Sequence, residues 1–206
     1  MIWKNTLMRR LPFIKICIYG ASGQELPRPY FDAARELGRL LAGEGHSLIF
    51  GGGAHGLMGA CAEGASELGG EIIGIAPRFF DEPGILYPHC SRFVYTETMA
   101  QRKTAMFEES EAFIALPGGI GTFEEFMEVL TLRQLGRHQK PIALLNTLGY
   151  YDALETLLRG ASQKGFMSAQ VHRRYALCPD AETALAYVAL PAAPEEAPRP
   201  LSAYSR

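Results

Sequence analysis

The strongest constraint on the fold is an alternation of short apolar runs with longer amphipathic ones, in which three of the apolar runs end in glycine-rich turns. Residues 14–19, 47–50, 71–75, 112–116 and 141–145 are apolar and of strand length. Between them lie segments of helical length: 29–44, with Phe31, Ala34, Leu37, Leu40 and Leu41 at helical spacing, then 57–68, 99–110, 122–135 and 150–162. A short strand at 175–178 and a helix at 181–189 close the pattern, and residues 92–95 read as a short strand inside an irregular stretch, 77–98. Alternation of this kind predicts an α/β fold: a single-domain, Rossmann-like, doubly wound parallel sheet with helices on both faces. The domain is expected over 14–190, after an N-terminal arm (1–13) and before a tail (191–206) whose four prolines predict disorder. Met8 is an alternative start that would leave the first seven residues dispensable.

Composition narrows the function classes. A chain of 206 residues with 48% hydrophobic and 20% charged residues suits one soluble domain with a full core. A formal net charge of −2 argues against nucleic-acid or membrane binding by charge. No apolar run approaches the roughly 20 residues of a membrane span. The N-terminus lacks the pattern of a signal peptide, its apolar residues being broken by Asn5, Thr6 and Pro12. Cys17, Cys61, Cys90 and Cys178 are far apart, which predicts reduced thiols in a cytoplasmic protein. The five histidines show no ligand spacing. Neither a metal nor an organic cofactor is implied.

In a parallel sheet, ligands bind beyond the carboxyl ends of the strands. Three glycine loops fall there: Gly20-Ala21-Ser22-Gly23, Gly51-Gly52-Gly53-Ala54-His55-Gly56 and Pro117-Gly118-Gly119-Ile120-Gly121-Thr122. The last follows a buried strand and opens a helix, whose unpaired N–H groups and positive dipole end suit a phosphate. Gly118, Gly119 and Gly121 let the backbone approach the anion, and Thr122 adds a hydroxyl. A plain turn competes evenly with that reading, because Thr122 and Glu125 have the spacing of a capping box. The second loop matches G-x-G-x-x-G, but it follows the second strand, and Glu71 begins the next strand rather than ending it, so a dinucleotide site is disfavoured and a loop walling a nucleotide pocket fits better. Arg102 and Lys103 sit in the first turns of a helix, where cations oppose the dipole; such a local conflict points to function, against the alternative of a solvated basic face. Glu108, Glu109 and Glu111 read as a solvated acidic face, and Met99, Met106 and Met127 as core-facing. Ser22 is a candidate donor to a ligand or simply a turn residue.

Three ordered stretches carry a resemblance: Pro117-Gly118-Gly119-Ile120-Gly121-Thr122-Phe123-Glu124-Glu125, Gly51-Gly52-Gly53-Ala54-His55-Gly56-Leu57-Met58-Gly59 and Met99-Ala100-Gln101-Arg102-Lys103. On these the chain resembles the LONELY GUY family, the cytokinin-riboside 5′-monophosphate phosphoribohydrolases, often labelled lysine decarboxylases. The resemblance runs from about residue 14 to 189. It implies hydrolysis of the N-glycosidic bond of an AMP-like nucleotide, often N6-substituted, to free base and ribose 5-phosphate. By the same likeness Arg102 and Glu125 are the catalytic pair, and Gly118, Gly119, Gly121 and Thr122 cradle the phosphate. Ser22, Gly53, Met99, Lys103, Glu124 and Thr131 are the further candidates for substrate contact. Two departures bear on the base: Phe79 stands where plant-type members carry a substrate-contacting glutamate, with Asp81 and Glu82 the nearby acids, and the first loop, Gly20-Ala21-Ser22-Gly23, differs from the family's commoner pattern with paired serines.

Two other classes compete. A carrier or sensor of a nucleotide or a phosphorylated pterin (molybdenum cofactor type) would bind without turnover. A decarboxylase would need a pyridoxal-binding lysine, for which Lys103 is the one site candidate. A homodimer or higher homo-oligomer is expected from the resemblance.

Overall fold

The apolar runs pair side by side because each is buried on both faces, which a parallel sheet covered by helices satisfies. The computed structural model describes residues 13–190. The arm and tail expected at 1–13 and 191–206 therefore lie outside the described residues, save for Phe13. The strands are β1 (Lys15–Tyr19), β2 (Ser47–Phe50), β3 (Ile72–Pro77), β4 (Arg92–Thr96), β5 (Ala112–Ala115), β6 (Ile142–Leu145) and β7 (Ala176–Cys178). They form one parallel sheet in the order β4-β3-β2-β1-β5-β6-β7. The order reverses between β1 and β5, which is where such sheets open a crevice for ligands.

Helices α1 (Arg28–Gly43), α2 (Gly56–Glu67) and α6 (Ala181–Ala189) cover one face, and α3 (Met99–Glu109), α4 (Ile120–Gln134) and α5 (Asp152–Gln163) the other. Alternate strand residues feed the two cores: Ile16, Ile18, Leu48 and Phe50 meet α1 and α2, whereas Cys17, Tyr19, Ile49 and Phe113 meet α3 and α4. The stretch 78–91 does the work of a crossover helix between β3 and β4. It holds one short 3-10 turn (Arg78–Phe80), and Tyr87 packs its ring edge-on against Phe50 and bonds Ser66 Oγ at 2.9 Å.

Two expectations need correction. Met106 is buried and Met127 packs half-buried against the same core, but Met99, at the first position of α3, is exposed. The acids at the end of α3 are not simply solvated: Glu109 pairs with Arg92 at 2.8 Å and Lys15 at 3.3 Å, and Glu111 accepts from the Lys15 N–H. Among the described residues the four cysteines carry no disulfide, no helix is long and apolar enough to cross a membrane, and no group of three or more metal-ligating side chains occurs.

α1 and α2 approach backbone to backbone. A Cβ on Gly38 would lie 1.9 Å from the Cys61 carbonyl oxygen, and one on Gly64 2.0 Å from that of Arg35. Rigid backbone on both sides leaves no room to yield, so Gly38→Ala is expected to force the helices apart and cost about 1–3 kcal/mol. Denaturant unfolding of the variant, with the midpoint lowered, checks this.

Candidate active site

The three glycine loops interlock at the carboxyl edge of the sheet. The Ala21 N–H donates to the Pro117 carbonyl at 3.1 Å, and the Leu57 N–H donates to the Ala21 carbonyl at 2.8 Å. The absence of side chains permits this contact. A Cβ on Gly56, whose φ is +66°, would lie 2.3 Å from the Ala21 oxygen, and one on Gly118 would lie 2.1 Å from Thr122 Oγ1 and 3.0 Å from the Ala21 nitrogen. The second loop is held from behind by the crossover stretch, through Ala54 N–H to the Ile85 carbonyl at 2.9 Å and Tyr87 N–H to the Gly52 carbonyl at 2.8 Å.

α4 begins at Ile120, two residues before the start expected from the sequence, with Gly119 as its N-cap. No side chain caps it, so the Thr122–Glu125 spacing does not form a capping box. Thr122 lies inside the first turn, buried against Gly118. The first-turn N–H groups have no intrahelical acceptors, and open space lies beside Gly119 and Gly121. A capping box does form at α3, between Thr98 and Gln101.

Arg102 and Lys103 are answered by acids of α4. Arg102 Nη2 donates to Glu125 Oε1 at 2.5 Å, and Lys103 pairs with Glu124 and, at 3.0 Å, with Glu128. The cations that oppose the dipole of α3 thus bridge it to α4. The Arg102–Glu125 pair is largely withdrawn from water, with 13% and 11% of the two side chains exposed. Burial pushes the Glu125 carboxyl above its ordinary range, and the Arg102 guanidinium opposes that rise without cancelling it. Arg102 also lies against the second loop, Nη1 being 3.4 Å from the position of a Cβ on Gly51. Its Nε is buried with no hydrogen-bond partner among the described residues. Beneath the pair, burial raises the Cys17 thiol to about 12 and the Tyr19 hydroxyl well above its usual value, with the Glu125 carboxylate adding to both.

Among the other candidates, Lys103 and Glu124 join the Arg102 cluster as a pair, and their mutual contact raises the lysine's pKa. Ser22 is exposed on the first loop, and Gly53 bridges to Leu86 on the second. Thr131 is exposed and lies roughly 16 Å along the axis from the start of α4, apart from the glycine turn. Asp81 and Glu82 line a cavity of about 540 Å³ with Tyr87, Cys90, Phe93 and Tyr95. The ring of Phe93 packs against Gly52, so the glycine loop borders this cavity.

Sequence reasoning missed two tyrosines at the end of the β6–α5 connection. The Tyr150 hydroxyl donates to the Gly118 carbonyl, and the Tyr151 hydroxyl to the Leu116 carbonyl at 2.6 Å. Neither belongs to a motif; their one signal is position, since they follow a strand that neighbours the one ending in the glycine turn.

Comparison with known proteins identifies the family and the fold. The family model described as "Possible lysine decarboxylase" matches residues 58–188. A probable cytokinin riboside 5′-monophosphate phosphoribohydrolase of Oryza sativa subsp. japonica is 39% identical over 170 residues, covering 82% of this chain and 81% of the relative. A cytokinin riboside 5′-monophosphate phosphoribohydrolase of Arabidopsis thaliana is 39% identical over 169 residues, covering 82% and 79%. Among solved structures, the molybdenum cofactor binding protein of Rippkaea orientalis superposes with a TM-score of 0.65 at 22% identity, covering 85% of this chain and 95% of that one. The Moco carrier protein of Chlamydomonas reinhardtii superposes with a TM-score of 0.64 at 23% identity, covering 85% and 94%. These structures share the fold; the sequence relatives, matched over four-fifths of their length, show that the chain belongs to the LONELY GUY (LOG) family, within the group described as possible lysine decarboxylases.

Proposed function

We propose that this chain hydrolyses the N-glycosidic bond of AMP-like nucleotides, with cytokinin riboside 5′-monophosphates as the substrate class, giving the free base and ribose 5-phosphate. The observation that carries this reading is the largely buried Arg102–Glu125 pair, 2.5 Å apart, beside a glycine turn that opens a helix. The 5′-phosphate sits on the first turn of α4, against the N–H groups of Gly119 and Gly121 and the Thr122 hydroxyl, with Gly118 leaving room for the turn. Ser22, Gly53, Met99, Lys103 and Glu124 lie round the sugar and base. As the bond from C1′ to the purine nitrogen breaks, its electrons leave with the base and positive charge develops on the sugar. Glu125 stabilises that charge and takes a proton from the water that attacks C1′. Arg102 favours the ionised form of Glu125 against the effect of burial, and its unpartnered Nε is a donor for negative charge on the phosphate or the departing purine.

A pyridoxal decarboxylase is disfavoured by Lys103 itself. An imine-forming lysine needs a lowered pKa, and contact with Glu124 and Glu128 raises this one. The carrier reading shares only its fold with this chain. Incubation with AMP and isopentenyl-AMP, followed by chromatography, separates enzyme from carrier: released base supports hydrolysis, whereas retained intact nucleotide supports the carrier. The setting that goes with the enzyme is cytoplasmic, and the assembly a homodimer or higher homo-oligomer, for which exposed Leu157 and Phe166 offer apolar surface; light scattering reads the mass directly.

Glu125→Gln is expected to lower kcat by about 10²–10⁴-fold, the range of a lost acid–base group. Retention of full activity by that variant would remove Glu125 from the mechanism. The same carboxyl sets a pH dependence. It must be ionised to act and its pKa lies above the ordinary carboxylate value, so kcat/KM falls on acidification at a higher pH than a free glutamate would dictate. Arg102→Met removes the opposing charge and should move that acid limb higher still. A pH profile of both proteins decides it, and a limb unmoved by the substitution would mean that another group titrates.

A further inference from the structure

The β6–α5 connection is built as a brace for the glycine turn. Residues 146–152 pass directly from the end of β6 to α5, and their polar groups are tied to one another. Asn146 Oδ1 accepts the Tyr151 N–H at 2.7 Å, Asn146 Nδ2 donates to Asp152 Oδ1 at 2.8 Å, and the Gly149 N–H donates to the Asn146 carbonyl at 3.0 Å. Leu148 is the one non-glycine residue with positive φ among the described residues, at 54°, and it is 71% exposed. A leucine gains nothing locally from that conformation, so the surrounding bonds must hold it there. They deliver two hydroxyls: Tyr151, buried, to the Leu116 carbonyl, and Tyr150, at the surface, to the Gly118 carbonyl. The Tyr150 ring is itself steadied edge-on by Tyr30 of α1 and by Tyr151.

The direction of the second bond matters. A trans peptide carries its C=O and N–H on opposite sides. Holding the Gly118 carbonyl toward Tyr150 turns the Gly119 N–H away from Tyr150, and open space lies where a Gly119 side chain would stand. Glycines on both sides of this peptide would otherwise let it rotate freely.

We infer that Tyr150 is a positioning residue for the 5′-phosphate: its hydroxyl fixes the Gly118–Gly119 peptide so that the N-terminal amides of α4 face the anion. The inference rests on the proposed reading of that site as a phosphate cradle. Tyr150 touches no reacting atom in this arrangement, so it sets the affinity for the phosphate and leaves the bond-breaking step alone.

Tyr150→Phe keeps the ring contacts and removes only the hydroxyl. Two measurements test it. In calorimetry with ribose 5-phosphate, the variant should bind about three- to tenfold more weakly than the wild type, the worth of one hydrogen bond, while binding of phosphate-free ribose is equal in the two proteins. In turnover of AMP, KM should rise by a similar factor with kcat held within about twofold. The thermal midpoint should not move, since Tyr150 is partly exposed. Equal ribose 5-phosphate affinity in the two proteins overturns the inference. So does a loss of kcat at unchanged KM, or a loss of binding that tracks a fall in the thermal midpoint. Ribose 5-phosphate binding is read without turnover, so a wild type that binds it but cleaves no nucleotide defeats the proposed hydrolysis and leaves the role of Tyr150 testable.

Discussion

Both polar groups of one backbone unit, Ala21, join the three loops of the site. Its N–H holds the turn after β5, and its carbonyl holds the start of α2. The first of these bonds crosses the position where the strand order reverses, between β1 and β5, and the second ties β1 to the loop after β2. Gly56 and Gly118 come close enough to make them because neither has a side chain. A parallel sheet with this order opens a crevice in any case; the Ala21 link sets how wide its floor is and which helix ends look into it.

Charge in the crevice is balanced locally. Two cations from α3 meet three carboxylates from α4, all within one or two turns of each other along their helices. The side chains alone therefore supply no excess of positive charge for a phosphate. In the proposed phosphate site, backbone amides and the dipole of α4 supply the attraction, so the conformation of Gly118 and Gly119 carries more weight there than any single lysine. The arrangement also explains how two cations are tolerated at the wrong end of α3. Their partners lie across the crevice instead of along their own helix.

Much of the fold was legible in the residues. The strand Ser47–Phe50 and the helix Ala181–Ala189 were read with the observed bounds, because apolar runs and flanking glycine or aspartate mark them. The start of α4 was read two residues late: Thr-x-x-Glu spacing suggests a cap, but Gly119 takes that place and leaves Thr122 in the first turn. The pairing of Arg102 with Glu125 is invisible to local pattern, since the residues lie 23 apart on separate helices. Only the likeness to a family joined them before the structure did. Tyr150 and Tyr151 escaped for a different reason. A hydroxyl bonded to a distant carbonyl leaves no periodicity and no spacing to read.

The two faces of the sheet are held by different kinds of contact. On one, α1 and α2 meet backbone to backbone through glycines, with Arg35 and Arg39 of α1 paired to Glu63 and Glu67 of α2 beside that contact. On the other, α3 and α4 are linked at the crevice by arginine, lysine and glutamate side chains, several bonds long and able to change rotamer. The molecule thus resembles a vice with one fixed jaw and one adjustable jaw. In the proposed enzyme, reshaping around bases of different bulk falls on the α3–α4 side, because the glycine contacts of α1 and α2 leave their backbones no room to move.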